Sequence, residues 1–231
     1  ASLPESNSGL IEFGTLDSQI FTLRPLYLNS LAERLNSGER FSFRSALGIA
    51  LEIVRILKSW QNLKIVHGHL SPSNICFSSE GEILLVDPGV LIAQYLAGRE
   101  LNSEIKIADD KYVSPELVKL GLIDVRADNY SLGTVLMELF RKVRRARDEQ
   151  GYDPELERMN LADVEAITEL TSGLCDLNID ARAPLEFVER LLDSRIQRVQ
   201  PVVPLALPLA VPPAPVEPER PSQLPEWEMT I

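Results

Sequence analysis

The stretch VHGHLSPSNI, at residues 66–75, decides how this sequence is interpreted. Two short apolar runs follow it, at residues 75–77 and 83–86, and the polar residues between them predict a β-hairpin. Asn74 and Asp87 then stand at the two outer ends of the hairpin. Because antiparallel pairing brings those ends together, the sequence predicts that the two side chains converge on one spot.

The same stretch, with Asp87-Pro88-Gly89 after it, resembles the catalytic loop and metal-binding turn of a protein kinase. In that family the loop reads His-Arg-Asp-Leu-Lys-Pro-x-Asn and the turn reads Asp-Phe-Gly. His67 matches the first loop position, while Asn74 and the first residue of the turn match the two magnesium-holding positions. His69, however, replaces the aspartate base, and Ser71 replaces the lysine. The resemblance therefore implies that the loop and the turn of a kinase are present and that the catalytic base is absent.

Three further stretches resemble kinase motifs in the order of the family. Residues 112–116 (YVSPE) resemble the Ala-Pro-Glu end of the activation segment, and residues 127–133 (ADNYSLG) resemble the opening of the central helix. Residues 178–182 (NIDAR) resemble a late turn that contains a structural arginine. Four motifs in order are a strong signal, and together they cover roughly residues 20–195.

The resemblance implies structural roles for three charged residues. Asp128 is expected to accept hydrogen bonds from the backbone of the loop. Glu116 and Arg182 are expected to pair and to tie the activation segment to the lower helices. Loss of one partner from such a buried pair costs roughly 3–5 kcal/mol. These three residues therefore imply that the chain retains the hydrogen bonds and the ion pair that stabilise a kinase lobe.

The parts that phosphoryl transfer requires are incomplete in this sequence. Phosphates must be held, charge neutralised and a hydroxyl relieved of its proton. The first 57 residues contain no G-x-G-x-x-G, and the first lysine is Lys58, inside a predicted helix. The sequence starts without methionine in what corresponds to the upper lobe, so one interpretation is a cropped or processed piece of a longer protein.

The altered loop residues favour a structural interpretation over a chemical one. An imidazole can accept a proton, but it cannot reproduce the negative charge of an aspartate. We therefore predict His69 as an exposed loop residue or a local hydrogen-bonding group. Asn74 and Asp87 offer two oxygens where magnesium needs about six, so they are predicted to cap turns and to satisfy loop N–H groups, with no metal or cofactor bound.

Composition limits the classes of partner. The chain has 231 residues, 45% of them apolar, and a net charge of -11, which argues against nucleic acid or an anionic membrane. The basic cluster at residues 141–147 is predicted to be a solvated helix end or a docking patch for an acidic partner. Cys76 and Cys175 are predicted to be buried free thiols in a reducing compartment. No run of about 20 apolar residues is free of proline, so we predict a cytoplasmic chain without membrane insertion.

Hydrophobic periodicity divides the chain into three predicted parts and gives the fold class as mainly α (α+β). Residues 1–27 are predicted to contain strands at 10–13 and 19–23, which the resemblance implies are remnant upper-lobe strands followed by the interlobe hinge. Residues 28–196 are predicted to be mainly helical, and the resemblance implies a kinase C-lobe-like domain. Its helices are predicted at residues 30–35, from 42 to 60, and at 114–120, 126–140, 161–174 and 184 to about 198.

Residues 197–231, called the tail below, differ in composition from the rest. They hold nine of the sixteen prolines, interleaved with apolar residues, so extended polyproline-like backbone is predicted. Four apolar tail residues are the predicted partner-docking side chains: Val202, Leu205, Leu209 and Trp227.

Two hypotheses of function follow. The first is a non-catalytic pseudokinase that serves as a protein interaction or scaffolding subunit, with the tail docking on its own lobe or on a partner protein. Its architecture is similar to that of kinase non-catalytic C-lobe (KIND) domains, while its loop is closer to bacterial Ser/Thr kinases. The alternative is a kinase-derived nucleotide-binding enzyme, or a fragment of a larger kinase, whose upper lobe is supplied elsewhere.

Overall fold

The chain is mainly helical, with two small antiparallel sheets, as the sequence predicts. The predicted hinge at residues 24–26 and the tail from residue 199 onward lie outside the described residues, while residues 197 and 198 of the predicted tail belong to the last helix. A computed structural model describes residues 12–16, 19–23, 27, 29–39, 41–100, 111–149 and 161–198.

The first sheet is a hairpin of β1 (Glu12–Leu16) and β2 (Gln19–Leu23). Leu16 pairs with Gln19, so two residues suffice to connect the strands. The second strand lies where the sequence predicts it. The prediction for the first strand, residues 10–13, was wrong in its end, because backbone pairing continues through Gly14 to Leu16 instead of stopping at the glycine.

Two capped helices follow, α1 (Leu31–Asn36) and α2 (Phe43–Asn62). The Ser30 hydroxyl accepts a hydrogen bond from the Glu33 backbone N–H (3.2 Å), and the Ser30 N–H donates to the Glu33 carboxylate (2.7 Å), which completes a capping box. Ser42 caps α2 in the same way through the Ser45 N–H (3.0 Å). The predicted apolar stripe of α2 is buried along its whole length: Ala46, Leu47, Ala50, Leu51, Val54, Leu57 and Trp60.

The loop at residues 66–75 leads into the second sheet, after a 3-10 turn at Pro72–Asn74. Strands β3 (Ile75–Phe77) and β4 (Ile83–Leu85) pair antiparallel, with Ile75 opposite Leu85. The Val86 N–H donates to the Asn74 carbonyl (2.9 Å), which continues the pairing to the outer ends of the hairpin. All six strand residues are buried, so this sheet is part of the interior.

Helix α3 (Val90–Glu100) directly follows the Asp87-Pro88-Gly89 turn, and our sequence analysis did not predict it. The sequence pattern that indicates this helix is the apolar run from Val90 to Ala93 followed by Tyr95. This run is long enough for a helix if the helix starts after Gly89. Helix α4 (Pro115–Leu120) begins after Ser114 and ends at Gly121, which has a left-handed φ of 61°.

Helix α5 (Ala127–Glu149) extends nine residues beyond its predicted end and runs through the basic cluster at residues 141–147. Val143 is buried while Arg141 is exposed, so the apolar face continues into the cluster and sustains the helix. Helix α6 (Leu161–Leu174) has the predicted bounds, and α7 (Leu185–Arg198) starts one residue later than predicted.

The core is built around α2, which packs against α5, α7 and β4, while α6 packs against α5. Phe43 and Phe140 meet edge to face, with ring centroids 6.0 Å apart. Lys58 pairs with Glu189 (2.6 Å) and joins α2 to α7 at the surface. These contacts make one helical core behind the loop at residues 66–75.

Both cysteines are free thiols, Cys76 buried and Cys175 only partly so, which corrects the prediction that both are buried. Burial raises the pKa of the Cys175 thiol. Across the described residues, no helix has the length and apolar character that a membrane span requires.

Candidate functional site

Asp128, in the first turn of α5, fixes the path of the loop. Its fully buried carboxylate accepts hydrogen bonds from the backbone N–H of His67 (2.8 Å) and of Gly68 (2.9 Å). Burial raises the pKa of Asp128 to about 7, and the two N–H donors act in the opposite direction by favouring the charged form. The structure thus places Asp128 in the contact that the sequence predicts for it.

Two further polar residues of the same helix turn each hold a different segment, and the sequence analysis did not single them out. The Asn129 side chain accepts a hydrogen bond from Gln61 in α2 (2.7 Å) and donates to the Ala183 carbonyl before α7 (3.0 Å). The Ser131 hydroxyl donates to the Tyr112 carbonyl (2.6 Å). Their signal in the sequence is that polar residues stand at the start of a predicted helix, before the mainly apolar stretch at residues 132–137.

Glu116 and Arg182, predicted to pair, form a bidentate ion pair with both N–O distances at 2.7 Å. The Arg182 guanidinium also donates to the carbonyls of Asp176 and Arg126, both at 2.9 Å, so its donors are used in several directions. Burial raises the pKa of Glu116, but the hydrogen bonds from Arg182, from a backbone N–H and from Ser114, together with the charge of Arg182, outweigh it and leave the pKa below its usual value. The pair joins the start of α4 to the turn before α7.

His67 is a buried and neutral structural residue. Its ring stacks on Trp60 with centroids 6.0 Å apart, and its Nδ1 accepts a long hydrogen bond from the His69 N–H (3.4 Å). Burial lowers the pKa of His67 to about 4, since the charged imidazolium is disfavoured away from water. The His67 carbonyl accepts from the Gly89 N–H (2.9 Å), which ties the loop to the turn before α3.

The two altered positions, His69 and Ser71, lie in the loop directly before the 3-10 turn at Pro72–Asn74. His69 is half-buried, and its carbonyl accepts a hydrogen bond from the Asn74 side-chain amide (2.9 Å). Asn74 therefore satisfies a loop carbonyl, where the sequence predicts that it satisfies loop N–H groups. Ser71 is buried, so this position presents neither a positive charge nor a long side chain to solvent.

Asp87 is half-buried and has a left-handed φ of 59°, a conformation that costs about 1–3 kcal/mol in a non-glycine residue. Its neighbour Gly89, with φ 72°, continues the tight turn. Asn74 and Asp87 lie at adjacent ends of the β3–β4 hairpin, because the backbone of residue 86 bonds to that of residue 74.

Comparison with known proteins decides the family. A family model described as the protein kinase domain matches residues 13–197. The chain belongs to this family. The matched range includes the loop at residues 66–75 and the three structural residues Asp128, Glu116 and Arg182.

Several curated kinases resemble parts of this kinase domain. A probable serine/threonine-protein kinase of Streptomyces coelicolor is 30% identical over 112 residues, which are 48% of this chain and 17% of that protein. Mitogen-activated protein kinase kinase 10 of Arabidopsis thaliana is 30% identical over 134 residues, 55% of this chain and 42% of that protein. The serine/threonine-protein kinase PknL of Mycobacterium tuberculosis is 35% identical over 75 residues, 32% and 18% respectively. The matched segment spans less than half of each relative.

A kinase domain implies a magnesium ion and a nucleotide, so we tested whether the residues present fit them. Asn74 and Asp87 stand at the two positions that the resemblance assigns to magnesium, and the hydrogen bond from Asn74 to the His69 carbonyl uses its NH2 group and not the side-chain oxygen that would bind a metal. Within the described residues, no group of three or more His, Cys, Asp or Glu side chains could hold a metal ion. Two side-chain oxygens fall short of the roughly six that magnesium requires, so a magnesium ion held by Asn74 and Asp87 would depend on water and nucleotide phosphate oxygens for its other ligands.

The four predicted docking residues of the tail, Val202, Leu205, Leu209 and Trp227, lie outside the described residues. They stay predictions from the sequence, as do the predicted domain boundaries.

Proposed function

We propose that this protein kinase domain is non-catalytic and acts by binding another protein. The observation that carries the proposal is His69, which stands where the family has its aspartate base. Residues 66–75 contain no aspartate or glutamate at all, so no other carboxylate in the loop takes over that role. The general base of a kinase must accept the proton of the substrate hydroxyl beside the metal ions, where a fixed negative charge is favourable.

The surroundings of His69 support this proposal. One residue before His69, the Gly68 N–H donates to the Asp128 carboxylate, and the His69 carbonyl accepts a hydrogen bond from the Asn74 amide. Ser71 is buried and uncharged in the place of the lysine that the family directs at the transferring phosphate. The changes therefore remove a negative and a positive charge from one loop without disturbing the hydrogen bonds that shape it.

A binding or scaffolding role is favoured by what the domain retains. The buried contacts of Asp128, Glu116 and Arg182 stabilise a defined surface and need no chemistry. The proposed partner is a protein or a larger protein assembly, with the tail as one docking element, predicted from its sequence alone. The proposed location is the cytoplasm, on the grounds that Cys76 and Cys175 are free thiols.

The melting temperature of the 231-residue chain tests the non-catalytic proposal against a nucleotide-using enzyme. A nucleotide present at 100 times its dissociation constant stabilises its protein by about 2.7 kcal/mol. We expect no rise in melting temperature with magnesium alone, nucleotide alone, or both together. A rise that needs both ligands and is absent in Asp87→Asn would favour the enzyme.

The role of the tail is tested separately, once a partner has been identified. Trp227→Ala and deletion of residues 199–231 are expected to weaken partner affinity. Undiminished affinity in both variants would remove the tail from the proposal and leave the non-catalytic assignment of the loop untouched.

A further inference from the structure

The β3–β4 hairpin has two apolar faces, because side chains alternate along a strand. One face contributes four residues to the main helical core: Ile75, Phe77, Ile83 and Leu85. The other face forms a separate buried cluster, called the outer cluster below, of Cys76, Leu84 and Val86. Each of these three side chains is at most 6% exposed, so the outer face is closed although it lies opposite the helical core.

Tyr27 packs against the outer cluster from outside the hairpin. Its side chain is half-buried, and a tyrosine suits such a place because its ring covers apolar surface while its hydroxyl can reach water. The backbone is fixed two residues later, where the Asn29 carbonyl accepts a hydrogen bond from the Phe77 N–H (2.9 Å). Ser30, which caps α1, also pairs with Cys76 in an isolated β-bridge. The segment that leads into α1 thus holds Tyr27 on the hairpin.

The outer cluster adjoins the two residues that the resemblance assigns to magnesium. Cys76 lies two residues after Asn74, and Val86 directly precedes Asp87, which puts each within about 7 Å of one of these positions along its strand. Small-molecule sites combine an apolar lining with a few polar groups that fix the orientation of the ligand. This end of the hairpin has both. A nucleotide at Asn74 and Asp87 would need the outer cluster for its aromatic base, because the helical core takes up the opposite face.

We propose that Tyr27 is a plug: its ring occupies the place that an aromatic base would take on the outer cluster, and the chain thereby closes this site to nucleotides. Removal of the ring would leave an apolar recess beside Asn74 and Asp87. An apolar cavity left by a deleted side chain stays dry and can take up a small aromatic molecule. The plug concerns binding, and it rests on the proposed function only in that a non-catalytic domain needs no open nucleotide site.

Adenosine binding to the full chain tests the plug, because adenosine carries an aromatic base and needs no magnesium. Ligand-observed NMR detects the weak binding that a single ring provides. We expect no binding to the wild type and a gain in affinity of at least about tenfold in Tyr27→Ala. Tyr27→Phe keeps the ring and should stay closed. Tyr95→Ala is the matched control, since it removes a partly buried tyrosine from the separate cluster around Ile92, and it should behave as the wild type.

Alkylation of Cys76 by iodoacetamide tests the plug without a ligand. In a Cys175→Ser background, Cys76 is the only thiol of the chain. A buried thiol is inert, so Cys76 should react slowly, and Tyr27→Ala should raise its rate by at least about tenfold. Tyr27→Phe and Tyr95→Ala should leave the rate low. Urea denaturation of each variant separates local exposure from global unfolding, and Tyr27→Leu, which keeps part of the apolar contact, replaces Tyr27→Ala if that variant does not fold.

Three results would overturn the plug. Adenosine binding to the wild type as tight as to Tyr27→Ala would show that the ring does not block a base. A folded Tyr27→Ala without any gain would show that no place for a base lies beneath the ring. Unchanged alkylation of Cys76 in that variant would show that Tyr27 does not close the outer cluster. Failure of the proposed function is distinct: a melting temperature raised by magnesium and nucleotide together contradicts it, and the plug stands if Tyr27→Ala still gains adenosine affinity.

Discussion

The first turn of α5 and the loop at residues 66–75 are joined by two hydrogen bonds, yet they relate to the kinase family in opposite ways. In α5, Asp128, Asn129 and Ser131 are buried, and each binds a different segment of the domain. In the loop, the backbone is held in place while His69 and Ser71 depart from the family residues. The comparison teaches that the shape of a catalytic loop can be fixed by a neighbouring helix, independently of the side chains that perform the reaction.

The physical reason for the difference is buried charge. A change in a buried hydrogen-bonded charge leaves its partners unsatisfied, at roughly 1–3 kcal/mol for each group. In the loop, His69 is half-buried and Ser71 is buried but uncharged, so a change at either position leaves no fully buried charge without its partner. Substitutions at the buried charged residues are therefore expected to lower stability strongly; these residues are called the structural half of the comparison below. Substitutions at His69 and Ser71, called the chemical half, are expected to lower it little.

The largest expected effect is that of Arg182→Ala, which would test the structural half. It should lower the free energy of unfolding by about 3–5 kcal/mol, because the buried Glu116 carboxylate loses its partner. Urea denaturation measures the loss. Arg55→Ala is the control, since Arg55 is half-exposed and its pair with Glu189 is 3.4 Å long, and it should cost less than about 1 kcal/mol. Equal losses in the two variants would contradict the prediction.

Asp128→Ala should follow, with a loss of about 3 kcal/mol. The variant leaves the N–H groups of His67 and Gly68 buried without an acceptor. Denaturation by urea gives the magnitude, and hydrogen exchange at these two amides shows whether the loop is released. Glu169→Ala, an exposed residue of α6, serves as the control. A loop that stays protected in Asp128→Ala would mean that α5 does not position it.

The free energy of unfolding should fall on acidification because His67 is buried in its neutral form. The unfolded chain binds a proton at the usual imidazole pKa of 6.5, whereas the folded chain does so only near 4, so stability is lost as the pH falls between these values. Relative to His67→Phe, the wild type should lose up to about 3 kcal/mol over this range. Asp128 is present in both proteins, so its own titration cancels in the difference. Parallel stability curves from pH 6.5 to 4 would refute the assignment of His67 as a buried neutral residue.

The smallest expected effect is that of His69→Ala, which would sharpen the chemical half of the comparison. The loss should stay below about 1 kcal/mol, since the loop is shaped by backbone hydrogen bonds and the Asn74 amide binds the carbonyl of residue 69, which any residue supplies. The same urea titration measures it. A loss as large as that of Asp128→Ala would mean that His69 is itself structural.

Much of the fold could be predicted from local patterns. The stripe of α2 is regular over five turns, and Ser30 and Ser42 are strong cap residues, so both helix starts were identified. The contacts of Asp128 and Glu116 came from the family resemblance, because residues 60 or more positions apart leave no local signal of their meeting.

The remaining features depend on tertiary packing. Helix α3 is seated on Gly68 and Gly121, and a glycine in a sequence does not reveal which side chain will fill the space beside it. The long C-terminal part of α5 was missed because charged residues mask its apolar face, of which Val143 is the buried residue. Gly14 was assigned to a turn on its local preference alone, and strand pairing overrode that preference.

The central claim is that the loop at residues 66–75 has a backbone fixed by hydrogen bonds but lacks the side chains for phosphoryl transfer. Transfer of labelled phosphate from ATP tests this claim most directly. The 231-residue chain would be incubated with magnesium and γ-labelled ATP, alone and with general protein substrates, beside an active kinase in the same buffer. The account predicts no labelling above the blank without protein. Labelling that grows linearly with time and protein concentration, and that disappears in Asp87→Asn, would contradict it.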